Sequence, residues 1–159
     1  MTLRGQAMEI LFICSGNTCR SAMAEKILNQ IAISKSLDLW AHSAGTRAAA
    51  SGSINEAARN ALEKLGITAG VHSTNPIPNN ITSDLVLTAT VEHRDFVLAK
   101  QPELTSKIFT IKEFAQRFQE SNDTNLDIED PLDSDSETYL LVAKEIKDSL
   151  EIIAAGLTT

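Results

Sequence analysis

The sequence predicts a single-domain α/β fold: a four-stranded, mainly parallel sheet with helices on both faces. Three observations carry that expectation. Short continuous apolar runs alternate with stretches of helical periodicity, the order that builds parallel sheets. A Gly/Asn loop, Cys14-Ser15-Gly16-Asn17-Thr18-Cys19-Arg20-Ser21, joins the first apolar run to the first amphipathic stretch. The length of 159 residues suits one domain with a sizeable core, and no repeat, low-complexity tract or linker divides it.

The elements follow in order. Glu9 to Ile13 (EILFI) is a strand of the kind buried on both faces of a parallel sheet. Ala24, Ile27, Leu28 and Ile31 recur at i, i+3, i+4 and i+7, so a helix opens near Arg20. Leu37 to His42 is a second strand. Ser53 and Glu56 form a capping-box pattern before Ala58, Ala61, Leu62 and Leu65, and Gly66 ends that helix. Asp84 to Ala89 (DLVLTA) is a third buried strand. Val91 to Lys100 follows as a helix that stops before Pro102. Lys107 to Ile111 (KIFTI) is the fourth strand. Ser134 and Glu137 suggest a second capping box, and Tyr139, Val142, Ala143, Ile146, Leu150 and Ile153 line one face of the last helix. Residues 8–159 form the domain, and residues 1–7 read as a loose N-terminal extension.

Charge and apolar length exclude some partners. The net charge of −7 comes with no basic stripe to displace counterions, which argues against nucleic acid. No apolar run approaches a membrane span, and the first residues lack the apolar segment of a signal peptide. The expected location is cytoplasmic. There, two cysteines in one loop read as reactive thiols rather than as a structural staple.

That loop carries most of the functional information. Ligands of open α/β sheets sit at the carboxyl ends of the strands, where Cys14 lies. Backbone N–H groups of the loop and of the helix start near Arg20 have no helical acceptor, so they suit phosphate oxygens. Ser15, Gly16, Asn17, Thr18, Cys19 and Ser21 belong to this phosphate-binding loop, which would equally hold a sulfate-like anion. Gly16 permits the tight turn, and Asn17 tolerates a left-handed backbone. Arg20 grips two phosphate oxygens in a planar fork, which Lys does not. The same positive field favours the thiolate form of Cys14, and Ser21 can donate a hydrogen bond to it. A phosphoryl leaving group also needs a proton. The acidic segment from Asp127 to Asp135 offers candidates, and Asp130 stands out because Pro131 stiffens the backbone beside it. Neither the Cys nor the His spacing suggests a zinc site, and no cofactor is implied. His42 and His93 receive no role.

The segment CSGNTCRSAMAE, with its C-x5-R-S core, resembles the signature of the low-molecular-weight protein tyrosine phosphatases. His42-Ser43-Ala44-Gly45-Thr46, the run DLVLTATVEHRD and the late Asp-Pro pair are similar to that family as well, so the resemblance spans nearly the whole chain from Met8. It implies that Cys14 is the nucleophile, Arg20 the phosphate clamp and Asp130 the proton donor. It also implies that Ser43 and His72 hold Asn17 in its left-handed conformation. Phosphorylated proteins would be the substrates.

Within the family, Thr18 in GNTCRS resembles the protein-arginine phosphatase branch. The wall loop Thr46-Arg47-Ala48-Ala49-Ala50 carries no aromatic residue, and Leu132 follows the Asp-Pro pair where many members have one. All three features turn the expectation from phosphotyrosine, the alternative substrate, to phosphoarginine. An arsenate reductase would need a further resolving Cys, and Leu87-Thr88-Ala89-Thr90 holds none. A Cys phosphocarrier module would need neither Arg20 nor Asp130.

Overall fold

A computed structural model describes residues 7–158. Residues 1–6, most of the expected N-terminal extension, lie outside the described residues. The chain runs β1 (Met8–Cys14), α1 (Arg20–Ser34), β2 (Leu39–Gly45), α2 (Glu56–Lys64), β3 (Leu85–Thr88) and α3 (Val91–Lys100). A 3₁₀ turn (Pro102–Ser106), β4 (Ile108–Thr110), α4 (Ile111–Ala115) and α5 (Ser136–Leu157) complete it.

All strand pairings are parallel, in the order β2-β1-β3-β4. Side chains of β1 alternate between two cores. Ile10, Phe12 and Cys14 face the larger one, shared with α1, α2, α4 and α5. Leu11 and Ile13 face the smaller one, with Val97 of α3 and Leu104 of the 3₁₀ turn. The central strand is therefore apolar from Ile10 to Cys14 because it is covered twice. The chain leaves β1 toward β2 on one side and returns to β3 on the other. That reversal opens a crevice at the carboxyl ends of β1 and β3.

Several boundaries differ from the sequence expectation. The second strand is Leu39–Gly45, reaching three residues past His42. Asn55, not Ser53, caps α2: its side chain accepts from the amides of Ala57 and Ala58, and Glu56 is the first helical residue. Asp135, not Ser134, caps α5 by accepting from Thr138. Asp133 turns left-handed at φ 64°, and the Ser134 amide is spent on Pro131 O, which delays the helix. Ile111 starts a helix instead of ending the fourth strand. Thr110 and Glu113 form a reciprocal capping box there, so strand passes into helix without a loop.

Candidate active site

Cys14 is the last residue of β1 and is buried. Its Sγ lies 2.9 Å from Ser21 Oγ and accepts from the Ser21 amide at 3.4 Å. The chain then turns through Ser15–Cys19 and enters α1 at Arg20. The amides of Gly16, Asn17, Thr18, Cys19 and Arg20 find no acceptor among the described residues. Five donors thus collect at the positive end of a 15-residue helix, a setting made for an anion.

Asn17 holds the loop open from below. Its φ of 59° is left-handed, and its side chain is fully buried. Its Nδ2 donates to Ser21 Oγ at 2.9 Å and to Ser43 Oγ at 2.8 Å, while its Oδ1 accepts from the Asn75 amide at 2.9 Å. Its main-chain oxygen accepts from His72 Nε2 at 2.7 Å. Ser43 in turn donates to Glu25. Ser43 and His72 thus both bond Asn17, a buried residue whose left-handed backbone has partners on its side-chain amide and its main-chain oxygen. Asn75 and Glu25 are further members of this support.

β2 presses against the loop from the side. A Cβ on Gly45 would collide with Ser15 O and come within 3.0 Å of the Asn17 amide nitrogen. The next amides, of Thr46 and Arg47, donate to Cys14 O and Ser15 O, both at 2.9 Å. Only a glycine lets the strand end this close to the loop.

Asp130 arrives from the far end of the chain. A series of i to i+2 side-chain bonds shapes its segment: Ser121 accepts from Asp123, Asp123 from Asn125, and Asn125 from Asp127. Lys112 anchors Asp123 at 2.8 Å. Asp127 then accepts from the Val91 amide, and Ile128 N donates to Ala89 O. Arg20 Nη1 donates to Ile128 O at 3.1 Å, and Nη2 lies 3.5 Å from Asp130 Oδ2. The Arg20 side chain is 7% exposed and that of Asp130 50%, so the carboxyl stands at the mouth and the guanidinium at the floor.

Cys19 caps α1 without a side-chain bond and is buried. Its thiol is pushed up to about 12, first by burial and then by Cys14 and Asp130, against the opposing pull of Arg20. Thr18 is half-buried, and its main-chain oxygen accepts from the Asn55 amide.

The sequence reading missed His93. It is buried, with Nε2 2.8 Å from Ser15 Oγ and Nδ1 2.9 Å from Thr90 Oγ1. Burial, and then Arg20, lower its pKa to about 4, against the opposing fields of Asp127 and Asp130. The sequence carried only part of the signal: Thr90 and His93 open the helix after the third strand, and the pairing of that strand with the first brings them to the loop.

These groups enclose a cleft of 270 Å³ lined by Ser15, Arg20, Thr90, Glu92, His93, Asp127 and Asp130. A larger hollow of 560 Å³ lies between residues 76–79 and α3, but neither cysteine, Arg20 nor Asp130 lines it. Among the described residues, no cluster of three or more His, Cys, Asp or Glu side chains is placed to hold a metal ion. No helix among them is long and apolar enough to cross a membrane.

Comparison with known proteins agrees with this geometry. The model of the low molecular weight phosphotyrosine protein phosphatase family matches residues 9–159. The chain belongs to that family. It is 30% identical to a protein-arginine-phosphatase of Bacillus subtilis, over 94% of this chain and 97% of that one. It is 33% identical to a protein-arginine-phosphatase of Geobacillus stearothermophilus, over 94% of this chain and 96% of that one. Among solved structures it is similar to the YwlE arginine phosphatase as a cysteine-to-serine mutant with a phosphorylated active site serine. There the TM-score is 0.85 and the identity 29%, over 96% of this chain and 97% of that one. The family's fold is the one described above, with its loop after the first strand.

Proposed function

We propose that this chain is a cytoplasmic protein phosphatase that hydrolyses phosphoarginine on proteins through a cysteinyl-phosphate intermediate. One observation carries the reading: the buried Arg20 guanidinium and the half-exposed Asp130 carboxyl pair across one cleft, and the strand-end thiol of Cys14 bonds Ser21, the residue after Arg20. The loop amides and Arg20 bind the phosphoryl oxygens, as they would bind free phosphate or a sulfate-like anion. Cys14 Sγ attacks phosphorus in line while the P–N bond breaks, and Asp130 gives its proton to the leaving guanidino nitrogen. The Asp130 carboxylate then takes a proton from water as the water oxygen attacks phosphorus. The S–P bond breaks, inorganic phosphate leaves, and Ser21 Oγ stabilises the departing thiolate.

The lining of the cleft supports the choice of phosphoarginine. No Phe, Tyr or Trp lines it, whereas phosphotyrosine would gain from stacking on one. Glu92, Asp127 and Asp130 bring three carboxylates to its rim, which suits a guanidino group that departs as a cation. Leu132, after the Asp-Pro pair, is 60% exposed and forms no ring wall. The relatives named for arginine phosphatase activity point the same way. The deciding experiment is a side-by-side kcat/KM on phosphoarginine and phosphotyrosine peptides at neutral pH, with Cys14→Ser as the blank. Higher values on phosphoarginine are expected. A preference for phosphotyrosine would make this an ordinary tyrosine phosphatase, and turnover by Cys14→Ser would overturn the covalent route.

A further inference from the structure

His93 stands outside the thiol, clamp and acid, yet it is 5% exposed and forms part of the cleft wall. Its ring touches two hydroxyls, Ser15 Oγ through Nε2 and Thr90 Oγ1 through Nδ1. Counting donors settles which ring nitrogen carries the proton. Thr90 Oγ1 already accepts from the His93 amide at 3.1 Å, as the cap of α3. If Nδ1 also donated to it, the Thr90 hydroxyl proton would have no acceptor among the described residues. If Thr90 donates to Nδ1, every group is satisfied, and Nε2–H must donate to Ser15 Oγ. Ser15 Oγ has no other side-chain or main-chain partner among the described residues. Its own proton is then free to enter the cleft, one residue after Cys14 and beside the undonated loop amides.

We propose that His93, backed by Thr90, is a positioning residue that turns the Ser15 hydroxyl into an additional donor to the phosphoryl group. The relay runs from Thr90 Oγ1–H to Nδ1, from Nε2–H to Ser15 Oγ, and from Ser15 Oγ–H to a phosphoryl oxygen. A doubly protonated ring would reverse the Thr90 contact. Burial, Arg20 and Arg47 keep the ring singly protonated at neutral pH, against the opposing charges of Asp127 and Asp130. This inference rests on the phosphatase reading for its substrate, but its geometry requires only that the loop bind phosphate.

The test uses the full chain, and inorganic phosphate as the probe. Phosphate affinity is measured by calorimetric titration, and kcat/KM on p-nitrophenyl phosphate, for Ser15→Ala, His93→Ala, His93→Gln and the Ser15→Ala/His93→Ala pair. Each alanine variant is expected to lose about tenfold in both readouts, the worth of one hydrogen bond to a charged group. His93→Gln, whose amide can still donate to Ser15, is expected to recover most of the loss. The double variant is expected to be no worse than Ser15→Ala alone, because the relay is a single unit. Losses that multiply in the double variant, or unchanged phosphate affinity in His93→Ala, would overturn the proposal. Thermal unfolding of each variant separates a misfolded protein from a disconnected relay, and Ser15→Ala tests the donor with minimal disturbance. If the wild type binds phosphate but hydrolyses neither p-nitrophenyl phosphate nor phosphoarginine, the phosphatase reading fails while the titrations still decide the relay.

Discussion

Arg20 Nη1 donates to the main-chain oxygen of Ile128 at 3.1 Å, across 108 residues of sequence. The bond fastens the start of α1 to the segment that carries Asp130, two residues further on. The guanidinium is thereby aimed before any ligand arrives, and the acid is held over the loop. Such preorganisation lets a hydrogen bond act on the transition state without first ordering its donor.

Asp130→Asn removes the proposed proton donor but keeps the side chain's size. The expected cost is on the order of 10²–10⁴ in kcat on a phosphoarginine peptide. It should be smaller on p-nitrophenyl phosphate, whose leaving group departs with little help. Equal losses on both substrates would assign Asp130 to holding the segment rather than to proton transfer.

Peroxide is expected to end in a Cys14–Cys19 disulfide. Cys14 is oxidised to a sulfenic acid, and Cys19 attacks it with loss of water. Cys19 stays protonated up to about 12 because it is buried beside Cys14 and Asp130, so the trapping step should quicken as pH rises toward that value. Intact-mass measurement after mild peroxide should show the loss of two hydrogens, reversed by thiol. Sulfinic acid at Cys14 with Cys19 still free would refute the pairing.

Thr18→Ile adds bulk and deletes a hydroxyl in the loop. Phosphoarginine turnover should fall while phosphotyrosine turnover holds or rises, a change in discrimination of about 1–3 kcal/mol. Parallel loss on both substrates would mean that the residue shapes the loop without selecting the substrate.

Gly45→Ala places a methyl group against Ser15 O and the Asn17 amide. The loop must shift, so phosphate affinity and kcat/KM should both drop sharply, with a stability cost of about 1–3 kcal/mol read from urea unfolding. Gly70→Ala is the control. It has a φ of 63° and open space around it, so it should lose some stability through strain and leave the kinetics alone.

The four strands and the long helices were legible because their signal is local. Ile10-Leu11-Phe12-Ile13 and Leu85-Val86-Leu87 are apolar without a break since β1 and β3 are covered on both faces, and α5 shows its buried stripe at helical spacing. The caps were less legible. Ser53 and Asn55 are both good capping residues within three positions, and only the path of the chain into α2 selects Asn55. The short α4 escaped notice because five residues are too few to show a period.

By itself the sequence determined the loop and its chemistry. Cys14, Gly16, Asn17, Arg20 and Ser21 are neighbours in the chain, so a strand before them and a helix after them are enough to gather donors around one point. It also singled out Asp130, through the proline beside it. Tertiary structure alone decided what surrounds that point. His93 reaches Ser15 because β3 pairs with β1, Gly45 abuts the loop because β2 pairs on the other side, and Ile128 meets Arg20 because the acidic segment folds back over the sheet. These contacts join residues tens of positions apart. No local period or spacing encodes them, since they follow from burying both faces of one parallel sheet and closing its carboxyl edge.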